Sequence, residues 1–265
     1  MSVCIAIGGI SIRVECTDVR FLHELRLHYA GYLAPGDGAD SLVLLVEPSS
    51  PPLQSPDADL EVRLAGGIWV IKRGDFHAEW EPGCGRGVAR LVPNRYSLDS
   101  ILRIIHSLEL ARTGQGLLLH AASAVRDGRA FLFCGPSGAG KTTMSRLAPA
   151  GVRLLTDEIS YLRRAPNGTG FDAWGTPFAG ELARPGENIV APLSSLYFLR
   201  QAGENRIDPL AAPEALRLVL KNTLFFAHDS ALVPRVLELA HSLCGSVEVA
   251  QLSFAPDVRV WNLIR

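Results

Sequence analysis

One stretch, FLFCGPSGAGKTT from Phe131 to Thr143, limits the chain's options more than any other. Phe131 to Cys134 is an apolar run short enough for a buried strand. Gly135, Gly140, Lys141 and Thr142 then satisfy G-x-x-x-x-G-K-[ST], the phosphate-binding loop pattern. Glycines let successive backbone N–H groups curl into an anion-sized concavity that a Cβ would obstruct. A helix is expected to begin where the loop ends, so that its unpaired N–H groups face the same anion. On this reading Ser137, Gly138, Ala139 and Gly140 offer N–H groups and Thr143 completes the binding run. Lys141 reaches the terminal phosphates and the Thr142 hydroxyl ligates Mg²⁺. A plain glycine-rich turn between strand and helix is the alternative. Only Lys72, Lys141 and Lys221 are lysines among 26 basic residues, yet the loop position is one of them. The expectation is a nucleoside-triphosphate site.

The length of 265 residues allows one large α/β domain, or a kinase-sized domain with an appendage. A net charge of −1 provides no global field toward nucleic acid or a membrane surface, and neither is expected as a partner. The five cysteines are widely spaced with no C-x-x-C pair, so they read as reduced, mostly buried thiols. No apolar run approaches the ~18 residues of a membrane span. The N-terminus lacks a basic segment before its apolar residues and reads as a strand rather than a signal peptide. These features point to the cytoplasm.

Val3 to Ala6 and Ile10 to Val14 flank Ile7-Gly8-Gly9 and read as a hairpin or a bulged strand. A short helix is expected over Phe21 to Leu33, then a strand over Ser41 to Val46 and a proline- and serine-rich loop to Asp57. From Leu60 to Leu91 short β-like runs alternate with glycine turns, which predicts a meander. Residues 1–95 therefore form a β-rich N-terminal region, a candidate for substrate docking, and residues 96–265 a kinase domain. Apolar spacing predicts a helix from Asn94 to Gly114, capped by Ser97 or Asp99, with His106 at its surface or boundary.

Leu117 to Val125 reads as a strand that turns at Asp127-Gly128 into the strand before the loop. His120 interrupts this apolar run, as either a satisfied core histidine or an active-site residue. A short helix after the loop is stopped by Pro149 and Gly151. Val152 to Thr156 then ends in Asp157-Glu158, resembling a strand that delivers carboxylates to a metal and a nucleophile. Asp157 as a simple turn cap is the competing reading. Strands are expected at Ile159–Arg163, Phe171–Trp174, Leu193–Arg200, Arg206–Leu210, Val247–Leu252 and Val258–Leu263. Helices are expected at Glu214–Phe226 and Pro234–Cys244.

The run HAASAVRDGRAFLFCGPSGAGKTTMSRLAPAGVRLLTDE resembles the core of the HPr kinase/phosphorylase family, and more distantly phosphoenolpyruvate carboxykinase. His120 before the loop, GPSGAGKTT itself and the acidic pair Asp157-Glu158 carry the likeness. It extends more loosely through GTPFAGE. The family's downstream glycine- and arginine-containing signature is absent. The pattern is closer to HPr-kinase-related proteins found with peptide-modification clusters. The resemblance implies an α/β fold, a P-loop core of mixed β-sheets with flanking helices. It also implies ATP and Mg²⁺, and γ-phosphoryl transfer to a hydroxyl, a serine of a peptide or protein. Asp157 would accept the hydroxyl proton or orient the hydroxyl, Glu158 would bind metal, and these two roles can be exchanged. His120 would contact the transferring phosphate or a second metal, and Glu181 would lie on the substrate side with Arg184 nearby. A small-molecule kinase and a nucleotide-binding regulator with little turnover are the other classes, and homo-oligomerisation is left open.

Overall fold

The computed structural model describes residues 1–34, 42–49, 58–227 and 229–265. Most of the expected proline- and serine-rich loop, and Ser41 before it, lie outside these residues. The chain divides into two compact units, Met1–Glu109 with Phe225–Ala231, and Leu110–Leu224 with Leu232–Arg265.

In the first unit β1 (Ser2–Ile7) and β2 (Ile10–Cys16) form an antiparallel hairpin. Alternate residues Val3, Ile5 and Ile7 are buried, the pattern of a strand with one wet face. Asp18 starts α1 (Val19–His28) by accepting hydrogen bonds from the Arg20 and Phe21 N–H groups at 2.9 and 3.1 Å. The helix buries Phe21, Leu22 and Leu25 and ends at His28, short of the expected Leu33. β3 (Leu42–Pro48), β4 (Glu61–Ala65), β5 (Ile68–Arg73), β6 (Phe76–Glu81) and β7 (Arg86–Leu91) complete a seven-stranded sheet, ordered β1-β2-β3-β7-β6-β5-β4. Its last four strands are the antiparallel meander. α2 (Arg95–Thr113) follows, and the cap differs from expectation. Asn94 Oδ1 accepts from the Tyr96 and Ser97 N–H groups, while Asp99 accepts from the Tyr29 hydroxyl. His106 is also buried, against the surface or boundary position expected.

The second unit contains β8 (Gly116–Arg126), β9 (Arg129–Cys134), α3 (Lys141–Arg146), β10 (Arg153–Thr156), β11 (Ile159–Arg164), β12 (Phe171–Trp174), β13 (Val190–Gln201), β14 (Arg206–Pro209), α4 (Ala212–Asn222), α5 (Val233–Ser246) and β15 (Glu248–Phe254). Pairing runs β8–β11–β12–β13–β9 and returns to β8, closing a five-stranded barrel. β10 pairs with the far end of β8, and β15 and β14 extend outward from β13.

The expected α/β P-loop core is therefore incorrect. Strands hold 40% of the residues against 28% for helices, in two sheets of which one closes into this barrel. The cause lies in the turns. An α/β core needs parallel strands joined by covering helices. Here Asp127 and Gly128, both at positive φ, fold β8 directly back onto β9, and β11 returns antiparallel on β8. α3 is only six residues long, too short to serve as a covering layer. Only β9–β13 and β13–β15 pair in parallel in this unit. The expected strand at Val258–Leu263 is a 3₁₀ helix, started by Asp257 accepting from the Arg259 N–H. Val260 and Trp261 are buried in succession there, which an alternating strand does not allow. Among the described residues no helix is long and apolar enough to cross a membrane.

Candidate active site

The register of β8 assembles the site. Its first half pairs with β11 as far as His120, opposite Ile159. From Ala121 onward it pairs with β9, with Ala121 opposite Cys134. On its other edge Ser123 to Val125 pair with β10. His120 thus stands where three strands change partners. The loop 135–140 leaves the end of β9 beside it, and Asp157 and Glu158 form the turn between β10 and β11. The Ala121 N–H donates to the Glu158 carbonyl at 3.0 Å and fixes that turn against β8.

The loop is held by its own atoms and by the barrel. Gly140 has φ 109°, and a Cβ there would lie 2.4 Å from the Phe254 ring, so only glycine fits. Gln201 Nε2 donates to the Gly138 carbonyl at 2.6 Å. Lys141, 9% exposed, folds back so that Nζ donates to the Gly135 and Pro136 carbonyls at 2.9 and 3.2 Å. Burial lowers the proton affinity of this ammonium below that of an ordinary lysine, and the nearby Glu158 and Glu181 partly offset the shift. The Trp261 indole donates to the Met144 carbonyl at 3.2 Å and anchors α3. The α3 helix is too short for its dipole to dominate, so anion binding would rest on loop N–H groups and Lys141. Burial pushes the Cys134 thiol up to about 12, which makes it a poor nucleophile.

Asp157 is 6% exposed, and both its oxygens are engaged: Oδ1 accepts from the Gly180 N–H and Oδ2 from the Leu182 N–H, each at 2.8 Å. An ionised carboxylate offers about four lone-pair positions, so one on each oxygen remains for the cavity. Thr156 Oγ1 accepts from the Glu158 and Ile159 N–H groups at 3.2 Å and shapes the acidic turn. Gly186 closes the far end of the 180s loop. A Cβ on it would lie 1.6 Å from the Leu155 carbonyl oxygen, and its N–H donates to the Thr176 carbonyl at 2.9 Å.

A cavity of about 520 Å³ gathers these pieces. Ser137, Gly138, Gly140, Lys141, Thr142 and Thr143 line one wall, His120, Asp157 and Glu158 another, and Gly180 and Glu181 a third. Gly135 and Ala139 do not line it. Gly135 borders a second cavity, and Ala139 packs against a buried cluster that includes Met144, Phe254 and Trp261. Arg184 is exposed in the same 180s loop but is not part of the lining. Sequence reasoning missed Gly180, Leu182, Thr156 and Gln201. The first two act through backbone N–H groups and the last two through side-chain hydrogen bonds to backbone, none of which leaves a motif.

No curated protein matches the chain. Residues 95–224, just under half of the chain and including every side chain that lines this cavity, are similar to the family described as SynChlorMet cassette protein ScmC.

Proposed function

We propose that this chain is an ATP-dependent phosphotransferase that moves the γ-phosphoryl group to a hydroxyl, the acceptor being a serine of a peptide or protein. The observation that carries the reading is the convergence of four separate stretches, around His120, Lys141, Asp157 and Glu181, on one cavity. A lysine clamped by carbonyls inside a glycine loop, facing carboxylates across a concave space, suits a terminal phosphate and little else.

The residues present fit Mg²⁺. The Thr142 hydroxyl and the Asp157 and Glu158 carboxylates are hard oxygen donors that line the same cavity. Among the described residues there is no group of three or more His, Cys, Asp or Glu that could hold a metal on its own. Mg²⁺ commonly takes only one or two carboxylates, with phosphates and water supplying the rest. When bound, the ion would neutralise charge on the phosphates. Lys141 would exchange its carbonyl partners for phosphate oxygens, and the loop N–H groups would orient the chain of phosphates. Glu158 would take the proton of the acceptor hydroxyl as its oxygen forms a bond to the γ-phosphorus and the bridging β–γ oxygen leaves with ADP. Asp157 would hold the 180s loop and offer its remaining lone pairs to the metal. His120 would contact the transferring group.

The test uses the full chain with Mg²⁺ and γ-labelled ATP. Label should pass slowly to water and faster to serine-bearing peptides, and Lys141→Ala should suppress both. A chain that binds no ATP, or whose ATP affinity is unchanged by Lys141→Ala, refutes the proposal.

A further inference from the structure

The loop has a second face. On it lies a cavity of about 530 Å³ that shares His120 with the first and is otherwise lined by different residues. Phe198 and Leu199, nearly buried on β13, supply an apolar floor beside Gly135. Arg200 and Lys221 are exposed at its rim. Glu214 also lines it, but both of its oxygens accept from the Arg217 guanidinium at 2.8 and 2.7 Å, which offsets that charge. Two cations therefore stand without a matching acid in the lining.

The position of Lys221 relative to His120 is fixed by backbone. The end of α4 is tied to β8 through a bridge between Leu119 and Thr223, and the Leu224 N–H donates to the Leu118 carbonyl at 2.8 Å. Asn222 Nδ2 caps the Leu218 carbonyl at 2.8 Å, so this end of α4 keeps its shape. Arg200 follows Leu199 on β13, whose parallel register with β9 places it next to the loop.

We infer that this second cavity is the acceptor site, and that it selects an acceptor whose hydroxyl lies close to a carboxylate. The carboxylate would sit at the Arg200 and Lys221 rim and the apolar part over Phe198. The hydroxyl would then point past His120 toward Lys141 and Glu158. In the transfer that hydroxyl would lose its proton to Glu158 and gain the phosphoryl group from ATP, with ADP as the other product. The assignment of an acceptor role rests on the phosphotransfer reading, whereas selection of a carboxylate does not. Two sources share this chemistry: a free hydroxy acid, and a serine flanked by an acidic residue in a peptide.

The experiment gives the full chain three probes: free L-serine, acetyl-Glu-Ser-amide and neutral acetyl-serinamide. Binding without nucleotide is read by saturation-transfer NMR, and phosphoserine formation is read with Mg²⁺ and ATP. At least one carboxylate probe should bind about tenfold more tightly than acetyl-serinamide, and the stronger of the two identifies the source. Lys221→Gln should reduce that preference, and Arg200→Gln with Lys221→Gln should erase it to within about twofold. Both positions are exposed, and an unchanged melting temperature checks that the variants are folded. Equal binding of all three probes, or a preference that survives the double substitution, overturns the inference and leaves the phosphotransfer proposal standing. A carboxylate preference lost in the double variant, in a chain that binds no ATP, upholds the cavity and removes the kinase.

Discussion

Both units bury charge, but on different terms. Among the described residues of the first unit each buried acid meets a side chain. Asp99 accepts from the Tyr29 hydroxyl and contacts His28 Nε2 at 3.3 Å, and Glu109 accepts from the Trp80 indole at 2.9 Å. In the second unit Lys141 and Asp157 are held by backbone alone in the bonds described, through two carbonyls and two N–H groups, and both border a cavity. Side-chain partners complete a network and close it, which serves packing. Backbone partners orient a charge and can be exchanged for a ligand. Burial of charge therefore indicates a working site only together with what holds it and what it faces.

The largest expected effect would sharpen that contrast. Glu158→Gln should lower single-turnover transfer about 10²–10⁴-fold with little change in melting temperature. A rate within about threefold of the parent would move the proton-accepting role to Asp157. Asp157→Asn should act on both rate and stability. Its amide cannot accept on both sides, so one of the Gly180 or Leu182 N–H groups loses its partner, at about 1–3 kcal/mol. If its melting temperature equals the parent's, the loop is not held as described. In the first unit Asp99→Ala should destabilise by a similar amount, because the fully buried Tyr29 hydroxyl loses its acceptor. Phosphate transfer per folded molecule should not change there, and a large loss of transfer would break the comparison.

Smaller effects should appear at alkaline pH, with opposite signs in the two units. Burial, then the charge of Asp99, raises Tyr29 well above the ordinary 10.0. Its contribution is complete below 10.0 and is lost as pH rises further, because the unfolded chain ionises first. Lys141 lies below the ordinary 10.5, so in the window beneath that value the unfolded chain holds more protons and its contribution to stability grows with pH. Nucleotide affinity should fall across the same window, since phosphate requires the ammonium. Calorimetric titrations of parent and Lys141→Met should show this fall in the parent alone. A parallel fall in both would detach Lys141 from the phosphates.

Much of the site could be read from the chain because its chemistry is local. The glycine-rich loop declares itself by spacing, and the acidic turn by ending an apolar run. The Asp127-Gly128 hairpin brings His120 close to both. The architecture was less readable. Leu117–Val125 and Phe131–Cys134 are almost wholly apolar, a pattern shared by helix-covered parallel strands and by barrel strands buried on both sides. What separates the two is the pairing of Phe131 with Ser195 and of Ile159 with His120, which no local period encodes. The clamp on Asp157 and the rim cations of the second cavity were hidden for the same reason.

Barrel closure also sets an order of events. The β8–β9 hairpin needs only its own turn and can form within microseconds. The β9–β13 ladder must bring Phe131 to Ser195 across intervening chain, and it is parallel, the kind of contact that forms slowly. Until that seam zips, Gln201 cannot reach Gly138 and Phe254 cannot wall Gly140. A nascent chain would therefore carry the GPSGAGKTT sequence well before the loop could take its folded shape, and if the proposed nucleotide site is right, refolding followed by nucleotide binding should lag behind refolding followed by hairpin formation.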